Sequence, residues 1–180
     1  MDIGKAFTFM FDDDEWVQKF VIGGLLVLVS IIPIVDIFTA LVIFGYCVRL
    51  LKNVADGVER PLPSWDDWGG DWTRGLMVVL AALVYLIPAI VLSVIGWIAS
   101  ALGAGGDPSQ MSGVANLCIF GLSCIGGLWI LLVTIVLPAA TIQYASERRF
   151  SSFFRFGDIF RFLGDNLSNF IVAWLLALVA

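Results

Sequence analysis

Residues 17–51 read VQKFVIGGLLVLVSIIPIVDIFTALVIFGYCVRLL, an apolar run too long for one helical membrane crossing and short for two. A helix needs about 20 apolar residues to cross the hydrocarbon, within a range of roughly 17–25. Pro33 and Asp36 sit at the middle of the run. Proline donates nothing to the helical ladder, and an aspartate in mid-bilayer is expensive. A tight hairpin turning near Pro33–Asp36 puts the carboxylate at the far interface and leaves two short spans, about 17–33 and 36–51. One long kinked helix that buries Asp36 is the alternative.

The same argument extends along the chain. A polar stretch, Lys52–Arg74, precedes a span at about 75–102 that contains Pro88. A glycine-rich loop, Gly103–Gly113, then leads to a span at about 114–140, ending at Pro138. Ser146–Asn166 is polar and aromatic, and the last run, 167–180, is short for a crossing. It is expected either to be incomplete or to end inside the membrane against something else. The reading is an all-α membrane protein of about five short transmembrane helices, forming one integral membrane domain over residues 1–180. Composition agrees: 60% of residues are hydrophobic and 14% charged, and mean hydropathy is +0.98. Soluble domains sit near about 45–50% apolar, because a globule must cover its surface with polar groups.

All ten Lys and Arg fall in three places: Lys5 and Lys19; Arg49, Lys52, Arg60 and Arg74; Arg148, Arg149, Arg155 and Arg161. The two opposite loops hold none. The positive-inside rule then gives one orientation, with the N-terminus and both long polar segments cytoplasmic, as expected for a prokaryotic inner membrane. Residues 1–15 lack the basic n-region of a cleaved signal peptide. A net charge of −5 argues against a nucleic-acid partner, which needs a basic face.

Three interfacial segments recur, at about 3–16, 64–74 and 151–165. They read as short amphipathic in-plane helices on the cytoplasmic face. The first carries Phe7, Phe11 and Trp16 around Asp12–Glu15. In the second, Ser64 and Asp67 have capping-box spacing, with Ser64 as N-cap, and Trp65, Trp68 and Trp72 share a helical face. In the third, Phe153, Phe156, Phe160 and Leu163 face the bilayer, while Arg155 and Arg161 can meet lipid phosphates. Indole rings settle at the headgroup level. These positions are expected to anchor the protein or contact a partner.

Chemistry-bearing constellations are hard to find. The chain has no histidine, which removes the commonest ligand for haem, zinc or copper and the usual acid–base residue near neutral pH. Cys47, Cys118 and Cys124 lie in apolar segments and read as small hydrophobes. Asp12–Glu15 has neither EF-hand spacing nor its glycine. No catalytic residue, cofactor or metal site is expected.

The loop after the second span carries a signature. Gly45-Tyr46, Arg49 and Asn53 are followed by Gly57 and by Leu62-Pro63-Ser64-Trp65-Asp66-Asp67. The pattern "GY-x-x-R-x-x-x-N", then "G-x-x-x-x-L-P-x-W-D-D", resembles an uncharacterised prokaryotic membrane family, domain of unknown function 4013. Ala145-Ser146-Glu147 through Phe153-Phe154-Arg155-Phe156 resembles its second cytoplasmic segment. The resemblance covers most of the chain. It implies a bacterial or archaeal multi-pass protein and supplies no activity. The function expected is a non-catalytic membrane scaffold or accessory subunit, in contact with membrane lipids and a membrane-protein partner. A small solute transporter or channel is the alternative, and a lipid-surface enzyme using Asp66, Asp67 and Asp71 beside Arg60 and Arg74 is the weakest reading.

Overall fold

A computed structural model describes residues 8, 11, 13–103 and 113–179. The expected first interfacial segment, about 3–16, and the glycine-rich loop fall largely outside them. Among the described residues the chain is helical: α1 (Trp16–Val29), α2 (Pro33–Ala55), α3 (Trp68–Gly103), α4 (Gly113–Glu147), a 3-10 turn (Phe150–Phe154), α5 (Phe156–Asp165) and α6 (Leu167–Val179). No strand occurs among them.

The long apolar run forms a hairpin, and the single kinked helix does not form. Its turn is earlier than the sequence suggests. α1 ends at Val29, residues 30–32 turn the chain, and Pro33 opens α2, with Ile32 extended before it. A proline at the first helical position loses nothing, because that N–H has no helical partner anyway. Asp36 therefore lies in the first turn of α2, exposed, rather than in the loop. Ser30 and Thr39 hydroxyls meet at 2.7 Å across the turn.

Two helices, over Trp68–Leu102 and Asn116–Glu147, are long and apolar enough to cross a membrane. Only 22% and 17% of their most apolar windows are buried, so their apolar surface faces outward. Each continues past an internal proline, Pro88 and Pro138 respectively. The expected end of the second at Pro138 is thus corrected: one missing N–H weakens the ladder without stopping it, and α4 continues to Glu147. It stops at Arg148, which takes a left-handed conformation (φ 54°) while donating its N–H to the Tyr144 carbonyl at 2.8 Å.

The chain divides into two compact units. Residues 81–138 form one, where Tyr85, Ala89, Val133 and Val136 are buried and the Trp129 indole donates to the Tyr85 carbonyl at 2.7 Å. Residues 1–80 with 139–180 form the other. Its core holds Val48, Leu62, Val78, Tyr144, Phe153, Ile159 and Leu163, with Tyr144 stacked on Phe153 at 4.6 Å.

Candidate functional site

The signature residues converge in the second unit. Gly45, Arg49 and Asn53 recur every four residues on α2 and so share a face, with Tyr46 at its edge. That face meets the loop 56–67 and the first turns of α3. The helices approach to backbone contact at two glycines. A Cβ on Gly45 would run into the backbone of Asp71, and one on Gly75 would run into the backbone of Leu41. Tyr46 stacks on Trp65 with ring centroids 4.1 Å apart and planes 12° from parallel. The Trp65 indole donates to the Lys19 carbonyl at 3.0 Å, and Asn53 Nδ2 donates to the Pro61 carbonyl at 2.9 Å. Gly57 turns the loop with φ 71°, a conformation that suits a residue without Cβ.

Beneath the stack lies an ionic cluster. Arg49 donates to Asp66 at 3.0 Å, to the Ser64 carbonyl at 2.7 Å and to Asp71 at 2.7 Å. Arg74 donates to the other Asp71 oxygen and to Asp67, both at 2.7 Å. Asp71 has no exposed surface at all. Its two oxygens each hold one guanidinium, the arrangement that lets a carboxylate leave water. The Arg49 guanidinium, then the Ser64 hydroxyl, hold the Asp66 carboxyl below the usual range; Arg74, then the Gly70 N–H, do the same for Asp67. A second pair sits beside the cluster: Lys19 reaches Asp13 at 2.6 Å and the Leu62 carbonyl at 3.1 Å. That bond is the main cause of a lowered Asp13 pKa. Arg60 pairs with Asp14 at 2.6 Å on the outside.

Several expected sites change role. Ser64 does not cap a helix. The helix begins at Trp68, and the Asp67 carboxylate accepts the Gly70 N–H at 3.0 Å, so Asp67 is the cap rather than the third helical residue. The second interfacial segment is consequently no separate helix but a turn running into α3. Trp65, Trp68 and Trp72 then cannot share a helical face, since Trp65 precedes the helix. Trp65 is half-buried in the stack, Trp68 is exposed, and the Trp72 Nε1 is buried without a hydrogen-bond partner. Trp16 lies edge-on between Phe11 and Phe20.

The third segment also divides. Non-helical Arg155 separates the 3-10 turn from α5 and resets the helical phase. Phe153 and Leu163 are buried inward with Ile159, while Phe156 and Phe160 face outward. Arg155 reaches Glu147 at 2.6 Å, and Arg161 lies 4.0 Å from Asp165. Sequence reasoning missed Arg49 and Lys19 as organising residues and Asp71 as a buried one. The available signal was spacing: Arg49 and Asn53 follow Gly45 on one face, opposite a loop rich in Asp.

Among known proteins, a family model described as "Protein of unknown function (DUF4013)" matches residues 16–180. No curated protein and no solved structure matches the chain.

Proposed function

The chain belongs to this family of unknown function, and we propose that it is a non-catalytic integral membrane scaffold or accessory subunit of a larger membrane assembly. One observation carries the reading: the signature residues spend their polar groups on one another and on neighbouring backbone. Gly45 admits the Asp71 backbone, Tyr46 covers Trp65, and Arg49 gathers Ser64, Asp66 and Asp71. Such a cluster fixes the position of helices, which is what a scaffold requires. Much of the outward surface is apolar, including Leu25, Leu28, Ile87, Trp97, Leu117 and Leu128. In this reading the chain crosses a prokaryotic inner membrane five times. The hairpin supplies two crossings, α3 and α4 one each, and α6 the last. The N-terminus and the Lys- and Arg-bearing segments are cytoplasmic.

The test is purification of the tagged chain from its native membrane in two mild detergents, with mass spectrometry of what stays bound. A membrane protein retained at fixed stoichiometry in both supports the scaffold. A homogeneous chain without partner in both counts against it. A second reading, a small solute transporter, draws on an open cleft of about 430 Å³ between α3 and α4, where Ser93, Ser100 and Ser123 supply hydroxyls. Solute flux into vesicles that carry the purified chain would favour it.

A further inference from the structure

Between α1 and α2 runs an apolar groove of about 390 Å³, bordered by Gly23, Gly24, Val27 and Ile43 and, at its loop end, by Lys19, Tyr46 and Trp65. A smaller pocket of about 200 Å³ shares Lys19 and Trp65 with it and is the more polar of the two, adding Glu15, Gln18, Ser64 and Asp66 beside Ile22. We propose that the two cavities together hold one phospholipid with a primary amine in its headgroup, of the phosphatidylethanolamine type: one acyl chain in the groove, the headgroup in the polar pocket. The inference rests on the membrane reading above and uses the open side of the signature cluster.

Three observations support it. First, the groove is open where side chains would ordinarily stand. A Cβ on Gly24 would meet nothing within 4 Å, and one on Gly23 would only touch the Trp65 ring at 3.6 Å. Second, the Trp65 N–H is turned back onto the Lys19 carbonyl, so the indole can offer its apolar body to a chain. Third, the charges match. The pocket presents the Glu15 carboxylate, the exposed Asp66 carboxylate, one of whose oxygens accepts from Arg49, and the Lys19 ammonium, which uses two of its three donors on Asp13 and Leu62. A zwitterionic headgroup gives its phosphate to the ammonium and its amine N–H groups to the carboxylates. A glycerol headgroup brings a net negative charge to two carboxylates, and a choline has no N–H to donate. Among the described residues no ion pair engages Glu15.

The experiment is native mass spectrometry of the full chain in mild detergent. It is offered an equimolar mixture of phosphatidylethanolamine, phosphatidylglycerol and phosphatidylcholine with identical acyl chains. The wild type should retain one phosphatidylethanolamine, roughly tenfold over either competitor. Glu15→Gln should bring that ratio close to one. Gly24→Leu, which fills the groove and suits a helix better than glycine, should lose retained lipid of every class while circular dichroism and melting stay at wild-type values. A photo-cross-linker at Val27 should mark lipid. Equal retention of the three lipids by the wild type, undiminished lipid in Gly24→Leu, or cross-linking of Val27 to a polypeptide would each overturn the proposal. Release of the chain from membranes by alkaline carbonate would instead remove the membrane reading beneath it.

Discussion

Asp71 is the residue whose loss should cost this protein most. Its carboxylate is out of reach of solvent and balanced by Arg49 and Arg74. Removing one member of such a buried set strands the others, at about 3–5 kcal/mol. Asp71→Ala should therefore lower the melting temperature in detergent sharply, followed by intrinsic tryptophan fluorescence, whereas Asp66→Ala, at an exposed carboxylate, should lower it far less. Arg49→Lys should fail to restore stability, because one ammonium cannot present the planar fork that reaches Ser64, Asp66 and Asp71 together. Gly45→Ala should also destabilise, by about 1–3 kcal/mol, since the added methyl meets Asp71 backbone rather than a side chain that can swing away.

At the scale of elements, α5 offers the sharpest contrast. Ile159 is 1% exposed and Phe160, its neighbour in sequence, 53%. Ile159→Ala should cost about 2–5 kcal/mol, as cavities in packed cores do, and Phe160→Ala should leave thermal stability close to wild type in the same melting experiment. The sequence carried the amphipathic character of this segment but not its phase, because Phe153 belongs to a 3-10 turn that no apolar spacing announces. The α1–α2 hairpin was legible from Pro33 and Asp36; its boundaries were not, since a proline suits the opening of a helix as well as a loop. The start of α3 was misplaced for a related reason. Ser64 and Asp67 both make good caps, but the Gly70 N–H goes to Asp67 and the Ser64 carbonyl is taken by Arg49. Acid should loosen these loop contacts. Asp13, Asp66 and Asp67 all have lowered folded-state pKa values, so below the unfolded value of 3.8 the unfolded chain binds more protons. Their contribution is complete above that value and is lost as pH falls through the folded ones. Melting temperature should hold level from neutral pH to about pH 5 and decline below pH 4.

For the whole molecule, the expected test is of orientation. With the native cysteines replaced, a single cysteine at Ser30 should react with an impermeant maleimide from outside intact cells, and one at Ser151 only after permeabilisation. Labelling of both from outside would defeat the five-crossing arrangement. α3 and α4 are 36 and 35 residues long. At about 1.5 Å per residue each exceeds 50 Å, against roughly 30 Å of hydrocarbon, so in the five-crossing arrangement proposed above both would reach well into the headgroups or beyond. Composition and charge placement made the helical class legible; the ionic cluster was not, because a fully buried Asp71 and an exposed Asp66 look alike in sequence. The cluster also has a bearing on how the chain is made. Arg49 leaves the ribosome before every group it binds, and the last of them, Asp71, follows 22 residues later. At about 5–20 residues per second, its last partner is made roughly one to four seconds after it. Arg74, three residues further on, completes the set while α4 is still untranslated. Every ionic partner that ties the early hairpin to the first turns of the third helix is thus encoded ahead of α4.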